Sequence, residues 1–281
     1  MSLSLSNVQQ QEFDAMVKIE YRSAGFILRD TIRMRTDIIG NTCQFRKVGQ
    51  VVANPVAFQN TIAIQDPGFT AQIATLSKFA AGTAVDEIQD LTVNFDSKQE
   101  LAMVVAMAIG RRSDQIAIDA LELGAAANVI PAGGTNLTYA KFRQIVAIFE
   151  QNAVPHENRF MMMSGNNLSA LLADDHFTNR FYTSNDAVVS GTMQYRNVMS
   201  VNCRIIPTMT EGGIPLAGTV RRCVAWHKMA AGFAVGQDFR TEVNYLPRET
   251  SWFVNGLFYA GAVTIDNRGT IRVDCDEAVN P

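Results

Sequence analysis

Residues 107–119 read MAIGRRSDQIAID. Upstream, residues 101–109 are an unbroken apolar run, and downstream Ile116, Ala117, Ile118, Ala120 and Leu121 resume it. Gly110-Arg111-Arg112 and Asp114 interrupt what otherwise reads as one long apolar helix. Ser97 and Glu100 form a capping-box pattern, in which a serine hydroxyl and a glutamate three residues on satisfy amides of the first turn. The helix is therefore expected from Ser97 to about Ala127, about 46 Å at 1.5 Å per residue. At 3.6 residues per turn, Val105, Ile109, Ile116, Ala120 and Leu123 share one face, and Met103, Met107, Ile118 and Leu121 lie nearly opposite. Arg111, Gln115, Asp119 and Glu122 form a narrow polar strip between them. Such a helix is expected to be a spine covered on two sides. Gly110 costs on the order of 1 kcal/mol against alanine, a cost that makes sense where another segment crosses closely. Arg111 and Arg112 are expected to form ion pairs with Asp114 and Asp119 or across subunits.

The sequence around this helix is globular. Of the 281 residues, 47% are apolar and 18% charged, which excludes a disordered chain. So low a charge content suits a subunit whose surface is covered in an assembly. The formal charge of −3 argues against a chain held to nucleic acid by its overall charge. No secretory or membrane-spanning pattern is read, and no membrane partner is expected. Cys43, Cys203, Cys223 and Cys275 lack metal-site spacing and read as reduced thiols in a cytosolic setting. Whether Cys203 and Cys223 could pair across a sheet is left open by the sequence.

Residues 18–47 concentrate Lys18, Arg22, Arg29, Arg33, Arg35, Arg46 and Lys47, expected as a solvated arm or helix face, or as an arm lying on acidic neighbours or packaged nucleic acid. From Val48 to about Ile88 the chain reads as extended segments (Val51-Val52, Val56 with Phe58, Ile62 with Ile64) broken by Asn54-Pro55 and Asp66-Pro67-Gly68. So long a ribbon with so little bulk needs another surface to lie on. A short strand is expected over 91–95.

After the turn Pro131-Ala-Gly-Gly134, Thr138 is expected to cap a helix reaching Asn152 that buries Phe142, Ile145, Val146 and Phe149. A buried strand is expected over 159–163, a short helix over 164–173 and a helical turn over 186–190. Strands follow over 198–207 and 219–226, joined through the loop 211–215. Extended segments are expected over 239–246 and 251–265, then a tight turn at 266–269 and a closing strand through Ile271 and Val273. Strands mixed with helices give an α+β reading.

No catalytic, cofactor or metal site is expected. His156, His176 and His227 have no ligand at metal spacing, and Pro155-His-Glu157 lacks the second histidine of a metalloprotease helix. The cluster Ala173-Asp-Asp-His176 reads as a surface loop. Pro131-Ala-Gly-Gly134 lacks the lysine of a phosphate loop. Met161-Met-Met163 reads as core filling, and Met163-Ser164-Gly165 does not complete a nucleophile elbow.

The order of these segments resembles the major capsid proteins of tailed bacteriophages, of the Hong Kong 97 type. Residues 101–123, with Gly-Arg-Arg-Ser-Asp at their centre, are similar to that family's spine helix. Asn152-Ala-Val-Pro155, Arg159 and residues 177–191 resemble the surround of its axial domain. Ala225-Trp-His-Lys228 with Ala-Gly-Phe-Ala-Val235 resembles that domain's end. Gly261-Ala-Val-Thr-Ile265 followed by 266–273 resembles a closing hairpin of the peripheral domain. The resemblance implies an N-terminal arm over 1–45, an extended β loop over 46–86, a peripheral domain over 87–135 and 236–281, and an axial domain over 136–235. It implies a virion protein that self-assembles into pentamers and hexamers of an icosahedral shell around double-stranded DNA and is assembled in the host cytoplasm. Its implied partners are further copies of itself, a portal, separate scaffolding proteins and, as in some relatives, cement proteins. Some relatives weld subunits through a lysine–asparagine bond; Lys78 lies in the corresponding loop, but no acid or asparagine matches, so no such bond is expected. The alternatives are a nanocompartment shell of the same fold that encloses an enzyme, and a soluble α/β enzyme with a ligandable pocket.

Overall fold

The computed structural model describes residues 25–88, 97–174 and 197–279. The expected strand over 91–95, the turn over 186–190, His176 and the side chain of Ser97, on which the capping box depends, lie outside the described residues.

The spine is present: helix α1 runs Ser97–Gly124 and ends in a 3-10 turn at Ala125–Ala127. Its buried stripe is broad: Val105, Ile109, Ala117, Leu121 and Ala125 follow one another along it, and Asp114 and Ile118 lie beside them. Members of both expected faces are thus buried, Val105 and Ile109 of one and Ile118 and Leu121 of the other, while Leu123, 82% exposed, and Met103 are left open in one copy. The stripe packs on a four-stranded sheet in the order β1 (Arg33–Arg35), β11 (Ala231–Leu246), β12 (Ser251–Thr264) and β4 (Ser77–Asp86). Two glycines make the approach possible. A Cβ on Gly256 would fall 2.6 Å from Val105 Cγ1, and one on Gly124 would fall 2.0 Å from Thr264 Oγ1. Thr264 Oγ1 instead donates to the Ala120 carbonyl at 2.7 Å.

A second sheet of seven strands has the main order β5 (Val129–Ile130), β13 (Thr270–Asp276), β10 (Val220–His227), β6 (Arg159–Met163), β8 (Val201–Ile205) and β7 (Asn197–Val198), with β9 (Leu216–Ala217) paired to β10. β6 is buried along its whole length, and its alternation explains why. Phe160 and Met162 join Val224 and Trp226 in the core shared with α1. Met161 and Met163 face the other way, into a core with Phe142, Ile145 and Phe149 of α2 (Tyr139–Gln151) and Leu171 of α3 (Gly165–Leu172). The methionine run is core filling, as expected. Thr138 caps α2 by accepting from the Lys141 amide, and Ser164 caps α3 by accepting from the Asn167 amide.

The strands over 198–207 and 219–226, joined through the loop 211–215, are not neighbours, because β6 lies between β8 and β10. The same arrangement separates Cys203 from Cys223, and all four cysteines are buried free thiols. Residues 261–273 do not form a hairpin: β12 ends in the four-stranded sheet, and a turn capped by the Asp266 side chain sends β13 into the seven-stranded sheet beside β10. Finally, residues 51–64 form no strand; the ladder lies at their flanks, where β2 (Thr42–Val48) pairs antiparallel with β3 (Phe69–Thr75).

Candidate assembly surface

Within the basic run expected as an arm, residues 28–32 reach into the core. Leu28, Thr31 and Ile32 are buried, and the Trp226 indole donates to the Thr31 carbonyl at 3.0 Å. Gly25 crosses α1 at Gly110, where a Cβ would stand 2.0 Å from the Gly110 carbonyl carbon; this is the close crossing that a glycine at 110 suggested. Asp114 is not an ion-pair partner of the neighbouring arginines. Its two carboxylate oxygens accept the Ile27 and Leu28 amides, each at 3.1 Å. Burial pushes its pKa up to about 6, against the lowering effect of those two amides. Asp119 Oδ1 accepts from the Gln115 side-chain Nε2 at 2.6 Å, and the Arg112 guanidinium lies 4.7 Å from the centre of the Phe79 ring. The helix acids are thus engaged elsewhere, and the pairing expected of Arg112 is replaced by a cation–π contact. The basic run is distributed similarly: Arg29 pairs with Asp238 at 2.8 Å and Lys47 with Asp266 at 2.7 Å. Burial pushes the Asp266 carboxyl up, but Lys47 and Arg268 outweigh it and hold the pKa below the ordinary carboxylate value.

The β2–β3 ribbon has a fixed root and an unburied tip. At the root, Cys43, Phe45, Ala74 and Leu76 form a small core with Ala234 and Ile265. Phe45 packs so tightly on Gly232 that a Cβ there would lie 2.7 Å from its ring. Beyond Val48 the two arms are held by two clips in place of a ladder. The Gly49 amide donates to the Gly68 carbonyl at 2.9 Å, where a Cβ on Gly49 would sit 1.9 Å from the Pro67 oxygen. The Gln65 carboxamide then imitates a strand residue: its Oε1 accepts the Val52 amide at 3.0 Å and its Nε2 donates to the Val52 carbonyl at 2.8 Å. Gln65 carried no signal in the sequence, because its role exists only once the two arms are side by side.

Residues 49–65 contain no charged side chain. Val51, Val52, Val56, Phe58, Ile62 and Ile64 are exposed there, Phe58 and Ile64 fully, and Phe69 and Ile73 continue the patch onto β3. A contiguous apolar surface of this kind marks an interaction site on a soluble chain. The chemistry it offers is burial against another surface.

The residues weighed for catalysis are dispersed. His156 is exposed beside Glu150 at 3.3 Å, while His227 is half-buried and accepts the Met229 amide on Nδ1. Of the cluster 173–176, only Ala173 and Asp174 are among the described residues. No group of three metal-ligating side chains occurs among the described residues, and no described helix is long and apolar enough to cross a membrane.

A two-sheet body on a spine helix, with an unburied apolar ribbon, is an assembly subunit's architecture. The sequence matches a family model described as "Phage capsid protein" over residues 5–277. The chain belongs to this phage capsid protein family. Among curated proteins no sequence matches it. Solved structures similar to this capsid protein include "Mycobacterium phage Che8", at 14% identity and TM-score 0.74, covering 96% of this chain and 98% of that one. "Capsid structure of the Cyanophage P-SCSP1u" is similar at 14% identity and TM-score 0.76, covering 95% and 93%. "Cyanophage Pam1 capsid asymmetric unit" is similar at 12% identity and TM-score 0.72, covering 99% and 98%. Likeness at such low identity speaks for the fold, which is α+β of the Hong Kong 97 type. The capsid protein is a structural component of the virion shell, as the resemblance of its sequence implied.

Proposed function

We propose that this capsid protein is the major shell subunit, forming pentamers and hexamers that close around double-stranded DNA. The peripheral domain would comprise 87–135 and 236–281, with α1 and most of the β11–β12 pair, and the axial domain 136–235, with α2, α3 and the central strands of the seven-stranded sheet, around the capsomer centre. Support for the division comes from the apolar core around Phe142, Ile145 and Phe149, which is separate from the core that α1 shares with the other face of that sheet. The observation that carries the proposal is the ribbon tip: an uncharged, apolar loop on a rigid root, whose burial requires a second copy. A portal, separate scaffolding proteins and, in a reinforced shell, cement proteins would complete the particle, which would assemble in the host cytoplasm.

Expression of the full chain with its phage's scaffolding protein, followed by sedimentation and negative-stain imaging, tests this. Closed particles are expected, and particles recovered from infected cells should hold nuclease-protected double-stranded DNA. A chain that stays monomeric under all assembly conditions refutes the shell role. Particles filled with a protein cargo in place of DNA would favour a nanocompartment.

A further inference from the structure

The root of the ribbon carries a feature that the apolar tip does not explain. Between β1, residues 36–39 and β2 runs a groove of about 740 Å³ with Arg33, Arg35 and Arg46 on its walls. Asp37 is the single acid lining it. Two of the arginines are held in place by the groove itself. The Arg33 guanidinium lies 5.9 Å from the centre of the Phe45 ring, and Arg35 Nη1 donates to the Gln44 carbonyl at 3.4 Å. Ile39, fully exposed, forms an apolar rim.

The opposite composition stands at the far end of the same sheet. Where β11 turns into β12 and β4 ends, Asp86, Glu87 and Glu249 are exposed, and the Glu87 amide donates to the Thr250 carbonyl at 3.1 Å. Arg248 and Lys98, whose ammonium lies 4.1 Å from the centre of the Trp252 ring, are the basic side chains near that turn, and Arg240 is already paired with Glu242. Glu87 Oε2 accepts the Tyr245 hydroxyl at 2.9 Å, so the tip keeps an acidic excess through Asp86 and Glu249. Ile88, Val243 and Tyr245 give the tip exposed apolar surface. Arg35 is in register with Ala234 near the start of β11, and the acidic turn follows Leu246 at its end. At 3.3 Å per residue the groove and the tip are roughly 40 Å apart, several times the screening length of about 8 Å at physiological salt. They do not neutralise each other within one subunit.

We propose that the arginine groove receives the acidic hairpin tip of a second copy of this chain, joining subunits head to tail. The proposal rests on the shell reading above and names a contact that fixes the relative placement of the copies. Planar guanidinium groups grip carboxylates with two parallel hydrogen bonds, so three arginines at one groove suit a carboxylate-bearing hairpin. Groove and tip are different surfaces, so the contact is heterologous and propagates from copy to copy until a ring closes. An apolar rim at Ile39 finds a match in Ile88 and Val243, and would find none on a phosphate backbone. With an overall charge of −3, the chain has little general attraction for nucleic acid.

The test is charge reversal on the full chain, with assembly followed by light scattering and sedimentation at about 50 mM salt. Arg35→Glu with Arg46→Glu reverses the groove and leaves Arg33, which stacks on Phe45, in place. Asp86→Lys with Glu249→Lys reverses the tip. Each double variant should melt like the wild type as an unassembled subunit and need about tenfold more protein to assemble. A chain carrying all four reversals should recover most of the loss, since the reversed groove and tip again match. Tip reversal that assembles at the wild-type threshold overturns the proposal, even if the groove variant fails to fold, and so does a fourfold variant with no recovery. Groove variants that assemble normally but retain less DNA overturn it in favour of a phosphate site. Wild-type chain that forms no particles refutes the shell reading itself, a different result from any of these.

Discussion

Replacing Phe58, Ile62 and Ile64 by serine removes three side chains that contribute nothing to the fold of one copy. Phe58 and Ile64 are fully exposed and Ile62 is 75% exposed. Surface changes of this kind alter stability by about 0.5 kcal/mol or less, so the unassembled variant should melt within a few degrees of the wild type. On the proposed assembly the same side chains would be buried in the shell, and burying each large apolar residue is worth about 1.5–3 kcal/mol. Three such losses amount to roughly 5–9 kcal/mol per subunit, discounted because rim contacts stay wet. Even a loss of about 3 kcal/mol would raise the assembly threshold on the order of a hundredfold. The contact should also be nearly independent of ionic strength, because residues 49–65 carry no charge. The assay pairs calorimetry of dilute subunit with sedimentation across a concentration series. Assembly of the triple variant at the wild-type threshold refutes the reasoning. So does a sharply lowered melting temperature of the unassembled variant, which would mean that the tip folds back on its own subunit.

Three further outcomes are expected. Burial raises Asp114 from its ordinary value to about 6, so the folded state favours the protonated form. Its contribution is complete below about pH 4 and is lost as pH rises through 6; the wild type's advantage over Asp114→Asn should therefore shrink by roughly 3 kcal/mol between pH 3.5 and 7 in urea melts. Arg159 is fully buried, donates to Glu150 Oε1 at 2.8 Å and to the Pro155 carbonyl at 2.8 Å, and stacks on Phe149. Arg159→Met should cost about 2–4 kcal/mol by denaturant titration, and Arg159→Lys should restore little, because one ammonium cannot replace the fork. Gly25→Ala should destabilise by at least about 3 kcal/mol, since the methyl meets the Gly110 backbone and the residue holds φ +74; accelerated proteolysis near residue 25 would report it.

Legibility followed the range of the interactions involved. The spine, α2 with its cap at Thr138, the buried strand β6 and the short helix after it were readable because their periodicity and capping chemistry lie within a few residues. The apolar ribbon was readable as a segment without a core of its own, though its ladder sits outside the stretch where the β-branched residues cluster. What misled was proximity in sequence. Arg112 and Asp114 are neighbours on one helix, yet Phe79 and the amides of residues 27 and 28 claim them first. Residues 261 and 273 straddle a tight turn, yet the strands on either side of it belong to different sheets.

The amino-acid order by itself determined the elements, the family they resemble and the absence of charge at the ribbon tip, all of which are written in local spacing and composition. Tertiary structure alone decided that the segment after Gly25 is threaded into the core beneath Trp226, that Gln65 clips the ribbon, and that arginines and acids lie at opposite ends of one strand pair. Each of these depends on groups far apart in the chain. Such groups acquire a partner only after the backbone has folded and excluded the water that would otherwise satisfy them.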